Sequence, residues 1–232
     1  FENKILDREL SSIQNIICVS GSSFIILPIL LGIPIDTIIE LFIEYNENII
    51  DFKEFHINNL FTNFGIYKND FFNKLITIIF NYKSISKDIT LLELYNITSI
   101  NLVIKVINLN KKRIEYINHL SNPDIPLLKV IKMTCCIPFV FRPIEYNGDI
   151  YIDGGISGNF PIEFNNKLKT KNYLGIHITS KKMRAEVNTI IDYLINMYEV
   201  PFSPYDMKKN KKIIKIEITD NSYSFNANKA EK

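Results

Sequence analysis

The chain has 232 residues, 47% hydrophobic and 22% charged, with a net charge of +2. This balance describes one globular domain over residues 1–232, able to bury about 70% of the surface its unfolded chain exposes. The small net charge carries no commitment to nucleic acid. Three cysteines, an odd number with Cys135 and Cys136 adjacent, make no disulfide framework and fit a reducing, intracellular setting, cytoplasmic or peripheral to a membrane.

Abundant Ile, Asn and Lys with scarce Ala read as the coding bias of an AT-rich genome, as in a large DNA virus or a protist. Phe1 is not an initiator residue, so the chain reads as an excerpt, and no signal-peptide pattern is visible.

Phe1 to Ser12 has helical spacing, with charges opposite its apolar positions. Ile13 to Val19 reads as a buried strand. Ser20-Gly21-Ser22-Ser23 is a small, polar turn, and Phe24 to Leu31 opens a buried helix. The apolar stretch from Phe24 to Ile43 is interrupted by Pro28, Gly32, Pro34, Asp36 and Glu40, which leaves no run long enough to span a bilayer. Asp36 is expected to cap a helix carrying Ile38, Ile39, Leu41, Phe42 and Tyr45. Ile49 to Asn63 is short and mixed. Asn69-Asp70 begins an amphipathic helix to Tyr82 with Phe71, Leu75, Ile76 and Phe80 inward.

Ser86 to Thr90 is a loop and Leu91 to Tyr95 a short helix. Asn101 to Asn108 reads as a core strand, and Lys112 to Ile117 alternates as its hairpin partner. Gly148 to Ile152 is a short strand ending on Asp153-Gly154-Gly155, where glycines permit a sharp turn and leave space above the carboxylate. By itself this is an ordinary Asp-Gly turn. Beyond it, Tyr173 to Ile178 is a strand, Val187 to Tyr198 an apolar-faced helix, and Lys212 to Ile218 a last strand. Strands alternating with helices imply an α/β fold with a mostly parallel central sheet and helices on both faces, a three-layer α/β/α arrangement.

The context of Asp153 changes its weight. Ile125 to Pro143 runs from an apolar helix through Thr134-Cys135-Cys136 to Ile137-Pro138, then Phe141-Arg142-Pro143; Asn159-Phe160-Pro161 follows the glycines. Taken together, these features resemble the second active-site block of the patatin-like phospholipases. The passage from Asp88 to Tyr95 also looks like that family. The resemblance covers nearly the whole chain. It implies a patatin-like fold and a serine lipid acyl hydrolase working through a Ser-Asp dyad, with Asp153 as the base and Gly154, Gly155 and Asn159 supporting its loop. Phospholipids or other acyl esters, reached by transient binding to a membrane surface, are the implied substrates. Neither cofactor nor metal is implied.

The family's nucleophile lies in Gly-x-Ser-x-Gly, between a strand and a helix, the context in which a sharp turn exposes a serine oxygen. Two serines compete here. Ser20 ends the strand, and its distance to Leu31-Gly32 fits the family without a gap. Ser23 keeps a glycine two residues before it, Gly21, and places Pro28 nearer the start of the helix. Spacing over the whole element favours Ser20, with Gly21 shaping the turn. His56, His119 and His177 sit in no recognisable motif, which suits a dyad. An ordinary Ser-His-Asp hydrolase would need His177, the one histidine after Asp153, in a loop instead of a strand.

The family's glycine-rich oxyanion loop would precede Phe1 and a final helix would follow Ser222 to Lys232, so the chain is expected to be clipped at both ends. A catalytically degenerate patatin fold, kept as a lipid- or protein-binding module, is the competing reading. The adjacent cysteines read as packing, and the basic runs Lys111–Arg113 and Lys208–Lys212 as solvated loops.

Overall fold

The computed structural model describes residues 12–46, 57–68, 70–168, 172–180, 187, 193 and 212–218. They belong to two units, residues 1–161 and residues 162–232, each taken by itself below. The helices expected over Phe1 to Ser12 and Val187 to Tyr198 lie almost wholly outside the described residues. So do Ser222 to Lys232 and the basic run before Lys212.

In the first unit, the apolar run before Ser20 forms strand β1 (Asn15–Val19). Helix α1 (Ser22–Leu30) follows after a two-residue turn and buries Phe24, Leu27 and Leu30. Pro28 sits inside α1, where it removes a backbone donor. The helix stops two residues later: Ile33 N–H bonds the Pro28 carbonyl and Gly32 N–H the Ile29 carbonyl, with Gly32 at φ +64°. This closing turn satisfies the last carbonyls, so the proline falls where the helix is ending.

Helix α2 (Ile35–Asn46) has Asp36 in its first turn, not at the cap; a carboxylate there still faces the positive end of the helix. Next come α3 (Ile57–Asn63), β2 (Gly65–Tyr67) and α4 (Asp70–Tyr82). Helix α4 buries Leu75, Ile76 and Phe80 as its spacing predicts, along with Phe72 and Ile79. The Phe71 side chain is outside the described residues. Helix α5 (Leu91–Thr98) starts on a reciprocal cap, with the Thr90 hydroxyl accepting from Glu93 N–H and the Glu93 carboxylate accepting from Thr90 N–H.

Strands β3 (Asn101–Asn108) and β4 (Arg113–Ile117) form the expected hairpin. Helix α6 (Leu127–Cys135) leads to β5 (Phe139–Phe141), β6 (Ile144–Tyr146) and β7 (Asp149–Asp153). The chain therefore has an α/β fold with helices packed on a central sheet. In that five-stranded sheet β1 pairs β3 in parallel, while β4 and β7 pair β3, and β6 pairs β7, antiparallel. Short connections dictate two of the antiparallel pairs, β3–β4 and β6–β7, because the tight turn after β3 and Asn147-Gly148 are hairpin links. A separate parallel pair joins β2 and β5.

Strand β3 positions everything else. Strand β4 takes one of its edges over Ile104–Asn108, so β1, opposite residues 101–105, and β7, opposite residues 106–108, share the other. One runs parallel to β3 and the other antiparallel, so their C-terminal ends meet head on: Val19 lies opposite Lys105, and Asp153 opposite Val106. Leu27, Ile76, Phe80, Leu91, Leu94, Ile104, Ile125, Leu127 and Ile131 form the core around this junction. Each such side chain stabilises the fold by about 1.5–3 kcal/mol on burial.

The second unit contains α7 (Ile162–Leu168) and the parallel pair β8 (Gly175–Ser180) and β9 (Ile213–Ile218), in register from Gly175 opposite Ile213 to Ser180 opposite Ile218.

Candidate active site

Where β1 ends, the chain turns sharply. Ser20 has φ +53°, a left-handed conformation that side chains other than glycine seldom adopt. Its backbone is pinned on both sides. Ser20 N–H donates to Thr134 Oγ1 at 2.8 Å, and Ser20 O accepts from both Ser23 N–H (3.0 Å) and Ser23 Oγ (2.7 Å). Ser22 Oγ donates to the Val19 carbonyl at 2.7 Å and accepts from Val19 N–H at 3.0 Å. Ser22 occupies a glycine position of the family pattern, and its hydroxyl closes the turn there. Gly21 has ordinary helical backbone, φ −54° and ψ −24°, with open space where a Cβ would point.

The free end of this turn is the half-buried Ser20 hydroxyl, which donates to Asp153 Oδ2 at 2.6 Å. Such a length is typical of a hydroxyl bonded to a carboxylate. Ser23, three residues on, is buried; its hydroxyl is engaged by Ser20 O and lies 3.6 Å from Cys135 Sγ.

Asp153 ends β7, with its N–H donating to the Cys136 carbonyl at 3.0 Å. Its other oxygen, Oδ1, accepts from Gly155 N–H at 2.7 Å, so each carboxylate oxygen has a donor. The chain continues as a 3₁₀ turn, Gly154–Ser157. Of these glycines only Gly158, after the turn, has left-handed backbone, φ +111°. Gly154 is required for space, since a Cβ there would collide with the Lys105 carbonyl; one on Gly155 would meet the Asn159 side-chain oxygen, which would have to swing aside.

Burial pushes the Asp153 carboxyl from 3.8 up to about 6, and the Ser20 hydroxyl, the Gly155 N–H and the Lys105 ammonium each pull it back. Within the protein this carboxylate is therefore a stronger base than an exposed aspartate, placed against a hydroxyl whose proton it can accept.

Two side chains behind the junction gave no motif signal. Lys105, fully buried, sends Nζ to the Gly158 carbonyl (2.9 Å) and the Ser157 carbonyl (3.3 Å). Thr134, also fully buried, donates Oγ1 to the Lys105 carbonyl at 2.7 Å while accepting from Ser20 N–H. The signal that was available for Lys105 is its isolation as a charge within Leu102-Val103-Ile104-Lys105-Val106-Ile107, since lysines are almost never fully buried without partners.

Cys18, Cys135 and Cys136 are free and buried; burial pushes the Cys18 thiol up to about 12 and raises the other two well above the usual thiol value, leaving them protonated packing groups. Among the described residues no group of His, Cys, Asp and Glu could hold a metal ion, and no helix is long and apolar enough to cross a membrane. His119 stacks on Tyr95 and bonds Asn101, and His177 lies on β8 opposite Lys215.

A serine at a strand-turn-helix junction is thus hydrogen-bonded to the aspartate of an Asp-Gly-Gly turn, and sequence comparison names the family. The family described as patatin-like phospholipase matches residues 6–164, and the chain belongs to that family. It is 28% identical over 167 residues to "Probable lipid hydrolase 463L" of Invertebrate iridescent virus 6, covering 72% of this chain and 58% of that protein. It is also 28% identical over 207 residues to "Uncharacterized protein R571" of Acanthamoeba polyphaga mimivirus, covering 85% of this chain and 67% of that one. Among solved structures it is similar to VipD from Legionella pneumophila, with 15% identity and a TM-score of 0.37 over 97% of this chain and 47% of VipD.

Proposed function

We propose that the protein is a serine lipid acyl hydrolase in which Ser20 is the nucleophile and Asp153 the general base. The observation that carries this reading is the 2.6 Å hydrogen bond from Ser20 Oγ to Asp153 Oδ2. The Ser20 hydroxyl attacks the ester carbonyl as Asp153 takes its proton, giving an acyl-serine and a released alcohol that recovers the proton. Water then attacks the acyl-serine, giving a proton to Asp153, which passes it to the departing Ser20 oxygen; the fatty acid is released and the free serine and carboxylate are regenerated. Asp153 Oδ2 meets the Ser20 hydroxyl directly while Gly155 N–H holds Oδ1, which supports Asp153 as the base with no histidine between them.

The substrates proposed are acyl esters of membrane phospholipids or lysophospholipids, met at a membrane surface. Membership of the family and the name of the iridescent virus relative support the lipid class. With Ser20 as nucleophile, Cys18 and Ser22 stand at the two glycine positions of Gly-x-Ser-x-Gly, a departure that favours a degenerate binding module; against that module, Ser22 bonds within its own turn and Cys18 packs in the core.

The test is labelling of the full chain by a fluorophosphonate, a probe that requires an activated serine. Wild type and Ser23→Ala should label; Ser20→Ala should not, and Asp153→Asn should label slowly. Folded wild-type protein that does not label, or Ser20→Ala that labels normally, overturns the reading.

A further inference from the structure

A lysine with no accessible surface, set in the middle of the central strand, requires a role that packing does not supply. Ordering and burying a lysine side chain costs rotamer freedom even before desolvation is counted. Strand β3 could place an apolar residue here, as it does at Val103, Ile104 and Val106 on either side. Position 105 differs from its neighbours in where it lies. It is opposite Val19, the last residue before Ser20, and directly precedes the residue opposite Asp153.

Three contacts tie this one residue to both halves of the site. Its carbonyl accepts from Thr134 Oγ1, the group that holds Ser20 N–H. Its backbone and Cγ lie against Gly154, where an added Cβ would come within 3.1 Å of that Cγ. Its Nζ reaches the carbonyls of Ser157 and Gly158, at the far end of the 3₁₀ turn that begins on Asp153.

We propose that Lys105 is a positioning residue for the Ser20–Asp153 pair: its buried ammonium ties down the Gly154–Gly158 turn from behind and supplies the positive charge facing the Asp153 carboxylate. This rests on the reading of that pair as the catalytic dyad. Lys105 does not touch the substrate. It acts through Asp153, fixing where the carboxylate sits and keeping it ionised as a base in an interior that would otherwise favour the neutral acid. Among the described residues, the other titratable groups facing Asp153 are the thiols of Cys135 and Cys136 at the end of α6; burial keeps both protonated, so they contribute no charge.

The experiment compares fluorophosphonate labelling rates across the acid and neutral range for wild type, Lys105→Gln and Lys105→Arg, with folding checked by thermal unfolding. Lys105→Gln keeps hydrogen-bond donors but loses the charge. Its acid limb should move to higher pH, and its plateau rate should fall about ten- to a hundred-fold. Lys105→Arg retains the charge and should keep the wild-type limb. A folded Lys105→Gln with the wild-type limb overturns the inference while leaving the dyad intact; unlabelled wild type overturns the dyad and this inference with it.

A measurement on the wild type needs no tolerated substitution. In protein carrying 15N-lysine, the Lys105 ammonium nitrogen should shift with the midpoint of the labelling limb, and this response should vanish in Asp153→Asn. A Lys105 signal indifferent to that midpoint overturns the proposal.

Discussion

The turn after β1 and the turn after β7 end against the same edge of β3, yet they hold their shape by different means. The serine turn is built from side-chain hydrogen bonds: Ser22 closes on Val19, Ser23 on Ser20, and Thr134 reaches in from α6. Around Gly21 there is empty space. The acid turn is built from close packing, with Gly154 against the Lys105 carbonyl and Gly155 against Asn159. A turn made by hydrogen bonds accepts another small polar residue in place of a glycine; one made by contact does not. On the proposed reading of Ser20, this accounts for Ser22 standing at a glycine position on the serine side while both glycines remain on the acid side.

The comparison yields predictions of decreasing size. Asp153→Asn should slow fluorophosphonate labelling by about a hundred- to ten-thousand-fold, the range for loss of a general base. Its effect on stability has the opposite sign. The folded-state carboxyl titrates at about 6 instead of 3.8. Between those values the folded protein holds a proton that the unfolded chain has released, so the contribution is complete below about 3.8 and is lost as pH rises through 6. Asp153→Asn should therefore stabilise the protein at neutral pH by up to about 3 kcal/mol, and the gain should disappear towards pH 4 in denaturant unfolding followed against pH. The same titration sets the labelling rate of the wild type, which should rise through a midpoint near 6.

Next in size is Gly154→Ala, where the new methyl meets backbone instead of a flexible side chain. It should cost about 3 kcal/mol, read as a lower urea midpoint with an unchanged slope. A smaller loss is expected for Thr134→Val, which keeps the shape but leaves Ser20 N–H and the Lys105 carbonyl without this partner. The cost should be about 2 kcal/mol, together with slower labelling because Ser20 is less firmly held. Gly21→Ala completes the contrast: with helical backbone and nothing near its Cβ, it should leave stability unchanged or raise it by about 0.5 kcal/mol. Equal losses for Gly21→Ala and Gly154→Ala would break the comparison between the two turns.

Much of the site was legible in the sequence because its signals are local. A strand, a run of small residues and an apolar helix fix a turn at residues 20–23 whatever surrounds them. Apolar alternation ending on Asp-Gly-Gly likewise fixes a carboxylate at a strand end, and Asn101–Asn108 could be recognised as a core strand from its composition. The resemblance to the patatin-like phospholipases rests on order and spacing along the chain, which sequence records directly.

What sequence left open is whatever depends on the register of strands far apart in the chain. Ser20 and Ser23 differ by three positions, and both lie at a strand-helix turn. The hydrogen bond to Asp153, 133 residues away, exists for Ser20 because β1 and β7 both terminate at consecutive residues of β3. The reason for Gly154 and Gly155 lies in neighbours, Lys105 and Asn159, that no turn rule names. Lys105 itself is one charge in an apolar strand until the fold sets the Ser157 and Gly158 carbonyls before its ammonium. Local propensity determines which elements form and where they end. Contact between those ends is decided only when β3 pairs with β1 and β7 along one edge.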